Sequence, residues 1–169
     1  MSDFFDYDLP PHLIAQQPAA RRDESRLLAV DRAARTLSHR HFRDLPTLLA
    51  PGDLLVINDT KVIPARLVGR RLATGGKWEA LYLADRDGEW ELLAKTRGHA
   101  RVGETFVTDS GLSLTLVGRT DDRHWRMRPE PVGSAFVLLA THGKVPLPPY
   151  IRHGTADEPD RERYQTVYA

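Results

Sequence analysis

The sequence predicts an all-β middle, a small antiparallel barrel, set between flanks that mix strands with short helical and extended segments. Three observations carry this. From about Leu67 to Pro131 the chain breaks into short alternating segments separated by turn residues, the pattern of a small barrel. Before it, Asp53-Leu-Leu-Val-Ile-Asn58 is a compact apolar run, which predicts a buried strand. After it, Pro146-Leu-Pro-Pro-Tyr150 must be extended, because each proline restricts itself and its predecessor.

In chain order, Arg26–Asp31 and Thr36–Phe42 read as two strands joined by a short polar turn. Asp44 is placed to cap a short helix through Leu49, with Pro46 in its first turn and Pro51-Gly52 closing it. The strand Asp53–Asn58 follows, ending in the polar cluster Asn58-Asp59-Thr60. Extended structure resumes over Val62–Val68, where Pro64 argues for an edge, a bulge or a bend. Trp78–Leu83 and Trp90–Lys95 flank Asp87-Gly88, a strong hairpin signal. Further strands are predicted at Thr105–Thr108, Leu112–Val117 and His124–Arg128, making five or six in all. Ser134 reads as the N-cap of a helix through about His142, closed by Gly143.

With 169 residues the chain is long enough for one sizeable core or two small ones. There is no cysteine, which excludes a disulfide framework, a cysteine zinc site and a thiol nucleophile. That fits a reducing cytosol. The acidic, aromatic start Met1–Pro11 does not resemble a secretory signal, and the longest apolar runs are too short to cross a bilayer. A cytoplasmic protein without membrane contact is therefore expected. Net charge is +1, so nucleic acid would have to be met by a local patch rather than a global field. Arginine greatly outnumbers lysine. That composition suits bidentate phosphate recognition, and it equally fits a codon-usage bias.

Several blocks then stand out together. They are Phe5-Asp-Tyr-Asp-Leu-Pro10 with Leu13-Ile-Ala-Gln16, Arg22-Asp23 with Ser25-Arg-Leu-Leu28, and His39–Pro46. Pro51–Thr60 with Val62–Leu67, Val145–Ile151 and Asp160–Ala169 complete the set. In this order they resemble the S-adenosylmethionine:tRNA ribosyltransferase-isomerases of queuosine biosynthesis. Members of that family run to roughly twice this length, and a Pro-Thr-Ala-Gly-Leu-His-Phe motif of their second half has no counterpart here. The middle region matches only in its pattern of strands.

The resemblance implies an α/β plus all-β fold: a discontinuous mixed α/β domain, residues 1–66 and 145–169, with an inserted small antiparallel β-barrel at 67–144 that ends in a helix. It implies transfer and isomerisation of the ribosyl group of S-adenosylmethionine (SAM) onto 7-aminomethyl-7-deazaguanine at the tRNA wobble position. The products would be epoxyqueuosine, adenine and methionine. SAM is then a consumed substrate and no other cofactor is implied. The full-length family member is expected to be a monomer. This chain by itself is expected to be inactive, with unpaired edges and apolar faces that make it unstable or prone to associate.

Such chemistry needs a base, groups that orient ribose, a partner for methionine and a phosphate-binding surface. Asp59 is the leading catalytic candidate, with Asn58 and Thr60 beside it as substrate-binding residues at a strand end. The other reading is an Asx turn bonded to its own backbone. Arg22 and Asp23 read either as a structural ion pair or as a carboxylate or phosphate site. Arg66 either faces the Asp59 cleft or is a solvated strand residue. Tyr164, Gln165, Thr166 and Tyr168 either contact adenine or a flipped base or simply pack. No metal site is expected, because His39 and His41 share a strand face but lack a third ligand. Trp78, Trp90 and Trp125 are read as barrel core or hairpin pairs rather than as base-stacking platforms. The competing function is a non-catalytic RNA-binding barrel.

Overall fold

A computed structural model describes residues 6–169, so the Phe5 end of the first motif lies outside the described residues. Its centre is a closed six-stranded barrel with strand order β3-β4-β5-β8-β7-β6. The strands are β3 (Arg66–Arg71), β4 (Lys77–Arg86), β5 (Glu89–Thr96), β6 (Thr105–Thr108), β7 (Ser113–Arg119) and β8 (Trp125–Glu130). All pairings are antiparallel. A separate two-stranded hairpin, β1 (Arg26–Asp31) with β2 (Thr36–His41), lies in the N-terminal flank.

The barrel forms because its strands alternate with period two. Trp78 and Ala80 on β4, Trp90 and Leu92 on β5, Leu114 and Leu116 on β7, and Trp125 and Met127 on β8 all point inward and are buried. Phe106 stands between two of the tryptophans, tilted against Trp78 at 5.4 Å and edge-on to Trp125 at 5.3 Å. The expected tryptophan core is therefore observed. Between β4 and β5 the two-residue turn Asp87-Gly88 takes positive φ at both positions (56° and 81°), the conformation that matches strand twist in a tight hairpin.

Helix α1 (Ala135–His142) closes the core with Ala135, Leu138 and Leu139. Ser134 sits at its N-cap position, but its side chain makes no capping hydrogen bond. Gly143 follows with φ −89°, so it is not a left-handed terminator. It is glycine because the chain passes close to the 64 peptide: a Cβ there would lie 1.8 Å from the Pro64 carbonyl oxygen. Directly afterwards Lys144 pairs with Arg66 through two backbone hydrogen bonds of 2.7 and 3.0 Å. The chain thus enters and leaves the barrel side by side.

The flanks hold two corrections. Asp53–Asn58 is not a strand but an exposed irregular segment. Its residues favour extended structure, yet a ladder needs a neighbour, and among the described residues none lies alongside. Asp44 does not begin an α-helix. Its carboxylate accepts the His41 N–H at 2.9 Å inside a 3-10 segment, Phe42–Thr47, which Pro46 keeps from extending as an α-helix.

Gly69 on β3 tests barrel closure. A Cβ there would meet the Val107 carbonyl oxygen at 2.1 Å and the Thr108 Cα at 2.7 Å, both backbone. Gly69→Ala is expected to lower stability by about 1–3 kcal/mol in urea denaturation, with an unchanged m-value.

Candidate functional site

The two flanks meet through side chains that bind distant main chain. Gln165 aligns its amide with Val62, accepting the Val62 N–H at 2.8 Å and donating to the Val62 carbonyl at 2.9 Å. Gln16 does the same further on, donating to the Tyr150 carbonyl at 3.0 Å and accepting the Arg152 N–H at 2.7 Å. Each amide imitates one rung of a β-ladder. Arg22 donates to the carbonyls of Gln165 (2.7 Å) and Glu162 (3.1 Å), at the C-terminal end of helix α2 (Asp160–Arg163). A cation there also satisfies orphan carbonyls. In return, Arg163 donates to the carbonyls of Ala19 and Ala20.

Beneath this latch lies a charged knot. The Arg152 guanidinium grips both carboxylate oxygens of buried Asp160 at 2.6 Å and also contacts Asp157. Asp160 further accepts the Asp157 N–H at 2.7 Å. Burial by itself would raise the Asp160 pKa, but the guanidinium and that N–H outweigh it and hold the carboxyl below its usual range. Arg152, His153 and Gly154 all take positive φ (45°, 52° and 74°). Such a run is costly for the two non-glycine residues, and the ion pairs and the Gln16 bond hold it in place.

The residues named from sequence fall around this latch. Asn58 Oδ1 accepts the Thr60 N–H at 2.9 Å, which is the Asx turn. Asp59, at its apex, is exposed. Because Gln165 holds Val62, three residues on, the Asp59 Cα lies within about 10 Å of that latch point. The polar cluster and the Tyr164–Tyr168 segment are therefore neighbours. Thr166 Oγ1 is buried without a hydrogen-bond partner among the described residues, while Tyr168 is more than half exposed and Tyr164 about a third.

Asp23 is ion-paired at 2.9 Å, but with Arg21, leaving Arg22 for the latch. Arg66 is half-buried and bonds Glu79 at 2.9 Å and the Gly154 carbonyl. Glu79 also meets Lys95 at 2.6 Å. This triad edges a cleft of about 600 Å³ between the outer barrel wall (Leu81, Leu93) and the proline-rich segment after the helix (Pro146, Pro149), with His153 on its lining. Among the described residues no cluster of His, Cys, Asp or Glu could hold a metal ion, and no helix is long and apolar enough to cross a membrane.

Sequence reading missed Gln16, Arg163 and the Arg152–Asp160 knot. Their partners are main-chain atoms or distant residues, which leave no local pattern. Only the Asp157–Asp160 spacing, suited to a carboxylate receiving a backbone N–H three residues back, offered a signal.

Two expectations follow. Gln165→Glu places a carboxylate against the Val62 carbonyl and removes the donor. The Val62 amide should then exchange about tenfold faster, the equivalent of about 1.4 kcal/mol. The depressed Asp160 carboxyl contributes stability above about pH 4 that is lost as pH falls further, through its folded-state value. The Arg152 Nε–H signal in an NMR titration should therefore move with acid below pH 4 in the natural chain, and by much less in Asp160→Asn, where Asp157 is the one carboxylate left on the guanidinium.

Comparison with known proteins supplies the context. A family model described as "Queuosine biosynthesis protein" matches residues 2–169. A Symbiobacterium thermophilum protein named S-adenosylmethionine:tRNA ribosyltransferase-isomerase is 52% identical over 100% of this chain and 49% of its own length. One of the same name from Geobacter metallireducens is 44% identical over 99% and 49%. A crystal structure of S-adenosylmethionine tRNA ribosyltransferase from Thermotoga maritima is similar over 82% of this chain and 48% of its own, with 37% identity and a TM-score of 0.40. The chain spans about half the length of the curated relatives it matches. With residues 2–169 matched as one unbroken stretch, the chain belongs to the queuosine biosynthesis protein family.

Proposed function

We propose that this chain supplies the N-terminal half of an enzyme that transfers and isomerises the ribosyl group of SAM onto 7-aminomethyl-7-deazaguanine at the tRNA wobble position, releasing adenine and methionine. The observation that carries the reading is the 52% identity, across the whole of this chain, to a relative bearing that enzyme's name. In this reading, residues 1–66 and 145–169 form one domain and 67–144 a second, inserted one. SAM and the precursor-bearing tRNA are the substrates, and the cytoplasm is the place of action.

The sulfonium of SAM is already an activated leaving group, so the protein's task is to orient ribose and to move protons. Asp59 is the group suited to proton transfer or to ribose hydroxyls, because it is the exposed carboxylate at the apex of a turn. Asn58 fixes that turn from behind. The Tyr164 and Tyr168 rings offer flat surfaces for adenine or a flipped base. Thr166 Oγ1 is an unspent hydroxyl beside them. Arg22, Gln165 and Arg66 serve as positioning residues, since each is already bonded to protein.

Part of the barrel's positive charge is already held in ion pairs, which weakens the case for the barrel as a stand-alone RNA binder. Arg71 is matched by Glu104, Arg86 by Glu91, and Arg126 and Arg128 by Glu89. Counterion release needs cations that are free to meet phosphate.

The test is adenine release from SAM in the presence of precursor-bearing tRNA. This chain alone should give none. Supplied with the second half of the S. thermophilum relative, it should release adenine, and Asp59→Asn should lower that rate by about a hundredfold or more. Salt-sensitive tRNA binding with no release from the combined polypeptides would replace this reading with the non-catalytic one.

A further inference from the structure

One part of the barrel's outer wall carries cations that the fold leaves without partners. Arg70 on β3 lies directly opposite Lys77 on β4. Their chain neighbours Gly69 and Trp78 are buried, so by period-two alternation both side chains stand on the outer face, where both residues are exposed. Thr96 pairs with Trp78, and Arg97, the next residue, carries the row past the end of β5. Lys77 and Arg97 line one cleft of about 640 Å³. Neighbouring strands lie about 4.8 Å apart, so the row spans about 10 Å.

Like charges set opposite each other on a sheet repel and lower its stability. Among the described residues Arg70, Lys77 and Arg97 form no ion pair that would offset this. The carboxylates lining the cleft belong to the next row: Glu79, already shared by Arg66 and Lys95, and Asp109 beside Val68. Arg97 is also held in place. Arg71, at the end of β3, bonds Glu104 at 2.5 and 2.8 Å. The same guanidinium donates to the carbonyls of Arg97 at 2.9 Å and His99 at 3.1 Å. It thereby staples the loop Arg97-Gly-His-Ala-Arg101, which has two arginines and no carboxylate. Arg101, like Arg97, is exposed.

We infer that Arg70, Lys77, Arg97 and Arg101 form the surface on which the barrel holds the phosphate backbone of the RNA substrate. The inference rests on the reading above that the substrate is a tRNA, and it adds where that RNA is held. Duplex nucleic acid carries one charge per about 1.7 Å of its axis, so a row of this length meets several phosphates at once. A single small phosphate would leave most of the row unmatched. Trp78 beside the row is buried and offers no ring to a base, so the contact positions the RNA without reading its sequence. Arg126 and Arg128 on β8 are not equivalent, because Glu89 holds both.

Binding of this chain to an unmodified tRNA transcript, read by fluorescence anisotropy over a range of salt, tests the assignment. The natural chain should bind at low salt. Lys77→Gln with Arg97→Gln should weaken binding about tenfold and lower the slope of log Kd against log salt by about one per cation removed. Arg97→Gln alone, outside any strand, should lower that slope by about one. Arg126→Gln with Arg128→Gln, an equal change of charge elsewhere on the barrel, should leave affinity and slope nearly as they were. The Tm of the first double variant should not fall, since a repulsion has been removed. With the second half of the S. thermophilum relative added, the same variant should raise the KM for tRNA about tenfold and leave that for SAM unchanged. Unchanged affinity and slope in the Lys77 and Arg97 variants overturn the inference. So does an equal loss in the Arg126 and Arg128 variant, or no binding by the natural chain at low salt. Adenine release separates this outcome from the fate of the proposed reaction. Release that persists while the row proves unused leaves the reaction standing, whereas binding through the row without release from the combined polypeptides leaves the surface standing and removes the reaction.

Discussion

The flanks of this protein are joined by side chains that grip main chain, not by a shared apolar core. Gln165 on Val62, Gln16 on Tyr150 and Arg152, and Arg22 and Arg163 on opposing carbonyls do the joining. Such contacts are directional, and each contributes only about a kilocalorie per mole in net terms. They fix which segments lie together without burying much surface. The placement of the Asn58-Asp59-Thr60 turn beside the tyrosine segment depends on them.

The barrel has the opposite character. Its strands were legible in the sequence because period-two alternation, three tryptophans and an Asp-Gly turn all report on local geometry and on one enclosed core. Trp90 reads as interior from its own neighbours and is interior. Antiparallel closure also supplies every strand with partners from within the same stretch of chain, so propensity and pairing agree.

The flanks were legible only in part, and the failures share a cause. Asp53–Asn58 has the composition of a buried strand, but composition states a preference and hydrogen bonding requires a neighbour. Adjacency offers Asp23 as one partner for Arg22 and a carboxylate or phosphate as the other, yet Arg21 takes the aspartate and Arg22 reaches across 140 residues to the carbonyl of Glu162. Gly143 was placed correctly for the wrong reason: closeness of two backbones, not helix termination, demands it. The Asx turn at Asn58 was legible because it is local, whereas the role of Asp59 depends on what approaches it.

The pairing of Arg66 with Lys144 bears on the order of assembly. Gln165 and Val62 are 103 residues apart in the chain. Once the barrel has closed and brought Arg66 beside Lys144, the remaining gap behaves as a loop of about 25 residues, which saves about 1 kcal/mol of closure entropy. A single polar clasp yields about as much, so the saving is comparable to the bond itself. The barrel therefore acts as a splint: it folds on its local contacts first, and only then do weak clasps between distant flanks become favourable enough to hold.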